Sequence, residues 1–278
     1  MKTIKSITAF ILLLSITFFE ISAQDVTEES TVRDRAYDVE RTANRRVIPY
    51  EHLRESDVFY ERRIWREISV DEKLNKPFIY PQGYFVEILL AAAYECVLQT
   101  YDMIDDQFKT PLSCEDVKAI GNSVDTELVV DPVTLEESYE VVENLLNRDH
   151  ITKYRLKEDW IFDKQLSQLY VRILGIAPIM EKYDENGNYM TDIVMFWTYY
   201  PDLRNLLVNE EVFNPYNDSQ RLSWDDIFEM RLFASTITKE NNVWDRRIED
   251  YATGIDALLE HDRIRQEMFE KEHDLWSL

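Results

Sequence analysis

The sequence predicts an α+β fold: an antiparallel three-stranded meander packed with several helices, with helical N- and C-terminal parts. Three observations carry that prediction. Residues 154–200 hold three runs rich in aromatic and branched side chains, and Asn186-Gly187 sits between the second and third. On either side of this region the apolar residues recur at helical spacing. Glycine is scarce, at 5 in 278 residues, which argues against a many-turned all-β fold and against Gly-rich phosphate loops.

The chain starts with Lys2 and Lys5, an apolar run from about Ile7 to Phe19, and then Ile21-Ser22-Ala23. A charged start, a short apolar stretch and small residues are the pattern of a secretory signal peptide. The reading assigns residues 1–23 to that leader, cleaved near Ala23, and the mature chain to an extracytoplasmic compartment. Gln24 follows the cut where a lipid anchor would need cysteine, so the product is expected to be soluble, with no direct membrane insertion. Residues 24–56 are charged and poor in large aliphatics (Glu28, Glu29, Arg33, Asp34, Arg35), an arm with little core of its own. Residues 57–278 are expected to form a single globular domain.

Within that domain, 83–104 reads as a helix. Phe85, Leu89, Ala92 and Cys96 form one stripe, and Val86, Leu90, Ala93, Val97 and Tyr101 its neighbour. The polar stretch 121–127 reads as loop. Asp131-Pro132 resembles an N-cap and first helical position, opening a helix to about Asn147. The meander then comprises Tyr154–Asp163, Leu169–Glu181 and Met190–Tyr200, with the Asn-Gly turn as its hairpin signal. Its last strand is apolar on both faces and is expected to be covered on both sides. Ser223 caps a helix to about Lys239. In a last helix over 255–276, Ile255, Leu258, Leu259, Phe269 and Trp276 gather on one side; Ile264, Met268 and Leu275 gather on nearly the opposite side. One stripe can face the core, and Ile264, Met268 and Leu275 are taken as the candidate partner surface.

Composition narrows the function. The net charge is −23, which repels phosphate backbones and anionic surfaces, so no nucleic-acid partner is expected. The 19 arginines outnumber 12 lysines, a ratio that leans towards protein interfaces. Arg62, Arg63, Trp65, Trp160, Trp197, Trp224, Trp244 and Arg247 are the candidate anchors, because such side chains bury area and make directed bonds. Cys96 and Cys114 are either a disulfide or buried thiols; both readings stay open here.

Catalytic signatures are missing. There is no nucleophile elbow, phosphate-cradling loop or paired histidine ligand set. His52, His150, His261 and His273 are scattered and read as surface residues. Asp184, Asn186, Asn188 and Asp192 begin like a calcium loop, yet Gly187 and Met195 stand at the wrong positions. No metal, cofactor or catalytic residue is assigned. The alternative reading is a secreted hydrolase or glycan-binding protein, with Asp159, Asp163, Asp225 and Asp226 as its acids.

Four segments together resemble a known family. They are Val58–Arg66 with Glu72–Phe78, Tyr154–Lys164 with Val171–Pro178, Met195–Pro201, and Ser223–Arg231 running on to Asp245–Ile248. These runs are similar to the gliding-motility protein GldN family, also called PorN, of the type IX secretion system. The resemblance implies a periplasmic structural subunit and not an enzyme. It implies assembly with an outer-membrane lipoprotein of GldK/PorK type into a ring-like complex, including self-association within the ring. It further implies contact with a motor component of GldM/PorM type. The lipoprotein would then hold this chain at the outer membrane.

Overall fold

A computed structural model describes residues 45–81, 83–121, 123–130, 137–144, 146–184, 187–217 and 219–276, with backbone alone for 121, 123–130, 137–144, 275 and 276. The expected leader, and the arm up to residue 44, lie outside the described residues. Among the described residues the fold is α+β, built on an eight-stranded sheet and not a three-stranded one.

The sheet opens with β1 (Val58–Ser69), so the body begins on a strand and not in a helical part. Its central strands are β1, β6 (Ile151–Asp163) and β7 (Gln168–Tyr183), all antiparallel neighbours. The run read as a third strand, Met190–Tyr200, is split into β8 (Tyr189–Val194) and β9 (Trp197–Tyr199). Both pair with β7, β8 along its C-terminal end and β9 at its middle. Beyond β9 lie the short strands β2 (Thr100–Tyr101) and β3 (Pro111–Leu112); β12 (Thr236–Glu240) forms the other edge, beside β1.

Side chains alternate across the sheet. Ile68 of β1, Tyr154 and Leu156 of β6, and Ile173 and Ile176 of β7 enter the main core. Helices α1 (Phe85–Tyr94), α3 (Tyr200–Leu207) and α4 (Trp224–Glu229) close over it. Phe78, Phe85 and Trp224 form its aromatic centre, with ring centroids 5.4 Å (Phe78–Phe85), 4.9 Å (Phe78–Trp224) and 4.5 Å (Phe85–Trp224) apart. Helix α5 (Ile255–Trp276) caps a second cluster on the same face: Ile64, Ile237, Ile248, Ile264 and Met268. Trp65, Ala177 and Trp197 pack together on the opposite face.

Three expected helices are corrected. α1 stops at Tyr94: Cys96 takes the left-handed conformation (φ +59°) and the amides of Val97 and Leu98 fold back to the carbonyl of Ala92. A disulfide joins Cys96 to Cys114, the first residue of α2 (Cys114–Gly121). Within the expected helix over 131–147, the described residues 137–144 form a strand. β5 (Glu137–Asn144) pairs antiparallel with β4 (Ser123–Val130), part of which reads as loop. Val141 and Val142 are β-branched and suit that pairing better than a helix; Asp131 and Pro132 lie outside the described residues. The expected 223–239 helix is six residues long, because Arg231 adopts φ +55° and turns the chain towards β12. Its N-cap is as expected, a capping box between Ser223 and Asp226. The remaining elements, β10 (Glu211–Val212) and β11 (Leu222–Ser223), form a two-stranded ladder.

Candidate interaction surfaces

On the face away from the helices, β1 and β6 place opposite charges across from one another. Arg63 stands opposite Asp159, Trp65 opposite Lys157, and Glu67 opposite Arg155. Asp159 accepts two bonds from Arg63, at 2.6 and 2.7 Å. Arg155 donates to Glu67 at 2.6 and 2.9 Å. The segment 102–110 between β2 and β3 folds over this face. Its Asp106 accepts the indole N–H of Trp65 at 2.9 Å and pairs with Lys157. Phe108 rests on Gly175, where an added Cβ would come within 2.6 Å of the ring.

The result is an open groove of about 1160 Å³, floored by Arg63, Trp65, Lys157 and Trp197 and bounded by Asp245 and Arg247. Lys239 pairs with Asp245 at 2.5 Å and its ammonium lies 4.4 Å from the Trp65 ring; Arg247 pairs with Glu249. Burial is the main influence on Lys157 and lowers its pKa against the pull of Asp106. The cations named here therefore face acids of the same chain.

The opposite face holds a buried carboxylate. Glu158 is fully buried and receives Arg231 (2.9 and 3.3 Å) and the Trp160 indole N–H (3.1 Å), with Arg66 at 3.9 Å. Desolvation, reinforced by Arg231, lowers the pKa of Arg66. A second buried pair, Arg204 with Asp225, is bidentate at 2.9 and 3.1 Å. It also pins the chain before β1. Arg204 donates to the carbonyl of Ile48, and the Tyr50 ring lies between Arg172 (3.9 Å) and Arg204 (4.2 Å).

The hydrolase reading finds no support in its acids. Asp159 is held by Arg63, and Asp225 by Arg204. Asp163 caps the turn at Gln165 and accepts the Tyr170 hydroxyl, while Asp226 closes the capping box. Asp159 and Asp163 lie four residues apart on one strand, about 13 Å along the backbone, wider than the pairs that act across a glycosidic bond. The Asp184 turn is hydrogen-bonded internally: its carboxylate accepts from the amide and side chain of Asn188. Asn186 lies outside the described residues. Among the described residues no group of three or more His, Cys, Asp or Glu is placed to hold a metal ion. No described helix is long and apolar enough to cross a membrane.

The structure redistributes the expected anchors. Trp224, Trp65 and Trp197 are core residues, as are Ile264 and Met268. Ile64 and Ile237 draw the Ile264 stripe inward, while Trp65 and Trp197 also floor the groove. The side chain of Leu275 lies outside the described residues. Arg62 is internal in role, joining β1 to Glu240 of β12 and Glu267 of α5. Trp160 is half-buried against Glu158. Arg63 and Arg247 line the groove. Trp244 is 71% exposed, with the Arg246 guanidinium 4.5 Å from its ring and 5.4 Å from that of Tyr251. The sequence pattern did not single out Ile255, Leu258, Leu259 and Phe269 as contacts, although it placed them on one stripe; all four are exposed. His261, expected at the surface, is buried and accepts the Ile237 amide at 2.7 Å.

A family model described as gliding motility associated protein GldN matches residues 53–277. No curated protein matches the chain.

Proposed function

The chain belongs to the GldN family of gliding-motility-associated proteins, and from that premise we propose that it is a periplasmic structural subunit of the type IX secretion and gliding machinery. In this reading it assembles with an outer-membrane lipoprotein of GldK/PorK type into a ring-like complex. That complex contacts a motor component of GldM/PorM type, and the lipoprotein keeps the chain at the outer membrane after its leader is removed near Ala23. The work of the protein is contact, not turnover of a substrate.

The observation that carries the proposal is the family match across residues 53–277. The character of the surface supports it. Trp244, Arg246 and Tyr251 form an exposed aromatic and cationic patch, the composition that dominates protein interfaces. The groove adds a rim of charges of both signs.

The test is capture of a tagged chain from envelope extracts. The expected result is co-purification with an outer-membrane lipoprotein and loss of membrane association when that lipoprotein is deleted. A free monomer whose location ignores the deletion would sink the proposal. Trp244→Ala, at an exposed position, should weaken capture without changing thermal stability.

A further inference from the structure

Helix α5 buries one stripe and leaves another bare. Ile255, Leu258, Leu259 and Phe269 are 76, 58, 62 and 64% exposed. A helix that only covered a core would carry polar residues there, and an exposed apolar patch of this kind marks a contact site. Along the bare side, Ile255, Leu258, Asp262, Arg265 and Phe269 follow an alternating three–four spacing. That spacing is the seam along which two helices pack. The charged pair at its middle is exposed, with Arg265 3.0 Å from Asp262.

The order of residues along the seam says what can cover it. Lay α5 antiparallel on a second copy, with the two-fold axis between residues 263 and 264. Asp262 then faces the partner's Arg265, and Leu258 faces the partner's Phe269; the symmetry repeats both contacts. A parallel pair would instead set Asp262 against the partner's Asp262 and Arg265 against the partner's Arg265. A wholly apolar partner helix would leave both charges without a new partner on desolvation. The middle of the seam, from Leu258 to Phe269, is thus complementary in charge to its own reverse, while Ile255 falls opposite the partner's Glu272 at the ends.

We propose that α5 is a self-recognition helix: two copies of this chain pair through their antiparallel α5 seams, registered by reciprocal Asp262–Arg265 ion pairs. The helix spans about 33 Å, and one helix pair buries less than the roughly 1,200 Å² of a standard stable interface. The dimer is therefore weak alone and strengthened where copies are held close together. A two-fold contact uses the same surface on both chains, so it joins subunits in pairs and does not propagate. The inference rests on the helix and not on the family's partners, so lipoprotein capture and self-pairing can fail separately.

Sedimentation of the mature chain should show monomer and dimer in concentration-dependent exchange. Leu258→Glu and Phe269→Glu should each raise the dissociation constant by about tenfold or more. Asp262→Arg or Arg265→Asp alone should weaken pairing, and the two together should restore it. For register, Leu258→Cys and Phe269→Cys chains should cross-link when mixed and oxidised, and neither should cross-link alone. All four positions are exposed, so circular dichroism should show an unchanged fold. A chain that stays monomeric at every attainable concentration overturns the proposal. So does a dimer indifferent to these changes, or one in which each cysteine variant cross-links with itself.

Discussion

The guanidinium of Arg231 holds the buried carboxylate of Glu158 from a backbone position that ordinarily belongs to glycine. Arg231 has φ +55° at the end of α4, where its amide bonds to Phe228 O and that of Leu232 to Ile227 O. The left-handed backbone costs about 1 kcal/mol for a residue with a side chain. Removing the cation from a buried ion pair costs about 3 kcal/mol or more. Loss of the ion pair therefore outweighs relief of the backbone. Arg231→Gly, which removes both, should lower stability by about 2 kcal/mol. Replacing Glu158 by Gln in the same chain should recover part of that loss. Urea unfolding of the two single variants and the double variant measures it; an Arg231→Gly protein more stable than wild type would refute the account.

Tyr50 should decide whether the segment before β1 stays on the body. Its ring lies between Arg172 and Arg204, and its hydroxyl bonds to Glu229. Burial first, then Glu229, pushes the phenol pKa upward, so the hydroxyl stays protonated throughout the neutral range. Tyr50→Phe keeps both ring faces and should cost about 1 kcal/mol. Tyr50→Leu loses both cation–π contacts and should cost about 2 kcal/mol. Hydrogen exchange across residues 45–54 should rise sharply in the leucine variant. Unchanged protection there would count against this anchor.

His261 gives the fold a pH dependence of definite sign. Its Nδ1 accepts the Ile237 amide, so the ring must be neutral with its proton on Nε2. Desolvation foremost, then Arg66 and more weakly Arg265, lowers its pKa; Asp262 opposes them. The unfolded chain, with an ordinary pKa near 6.5, therefore takes up this proton before the folded chain does. Stability from this group is intact above about pH 6.5 and declines as pH falls below it, until the folded form also protonates. His261→Gln should flatten the stability profile between about pH 7 and 5. Equal slopes in the two proteins would exclude His261 as the source.

The Cys96–Cys114 bridge should stabilise one wall of the groove more than the sheet. It closes a loop with a sequence separation of 18 that contains β2, β3 and the segment carrying Asp106 and Phe108. In the chain-entropy picture such a loop contributes about 3 kcal/mol. A Cys96→Ser, Cys114→Ser chain should unfold at lower urea by that measure. Its extra hydrogen exchange should concentrate in residues 100–112. Uniform loss of protection across β1, β6 and β7 would show that the bridge acts globally.

What was legible in the sequence is what local chemistry governs. Ser223 caps α4 because a hydroxyl followed three residues later by Asp226 satisfies two helix-end amides. The aromatic and branched runs of β6 and β7 suit strands, although the same texture gave no sign that β1, β12, β2 and β3 extend the sheet. The errors share one cause. Cys96 and Arg231 end helices in a left-handed turn without the glycine that would announce it. Val141 and Val142 lie in a strand whose partner comes from an apparent loop. Which stripe of α5 faces inward depends on Ile64 and Ile237, which are remote in sequence. Trp224 and Trp244 look alike as letters, yet one sits in the aromatic centre and the other in solvent.

The bond from the Ile237 amide to His261 closes an outward donor on the rim strand of the large sheet. An open rim invites another chain to add a strand, the route to fibres. With that donor already occupied, a second copy of the chain cannot add a strand through it. At this position contact is left to side chains, which select a partner, where free main chain would accept any strand.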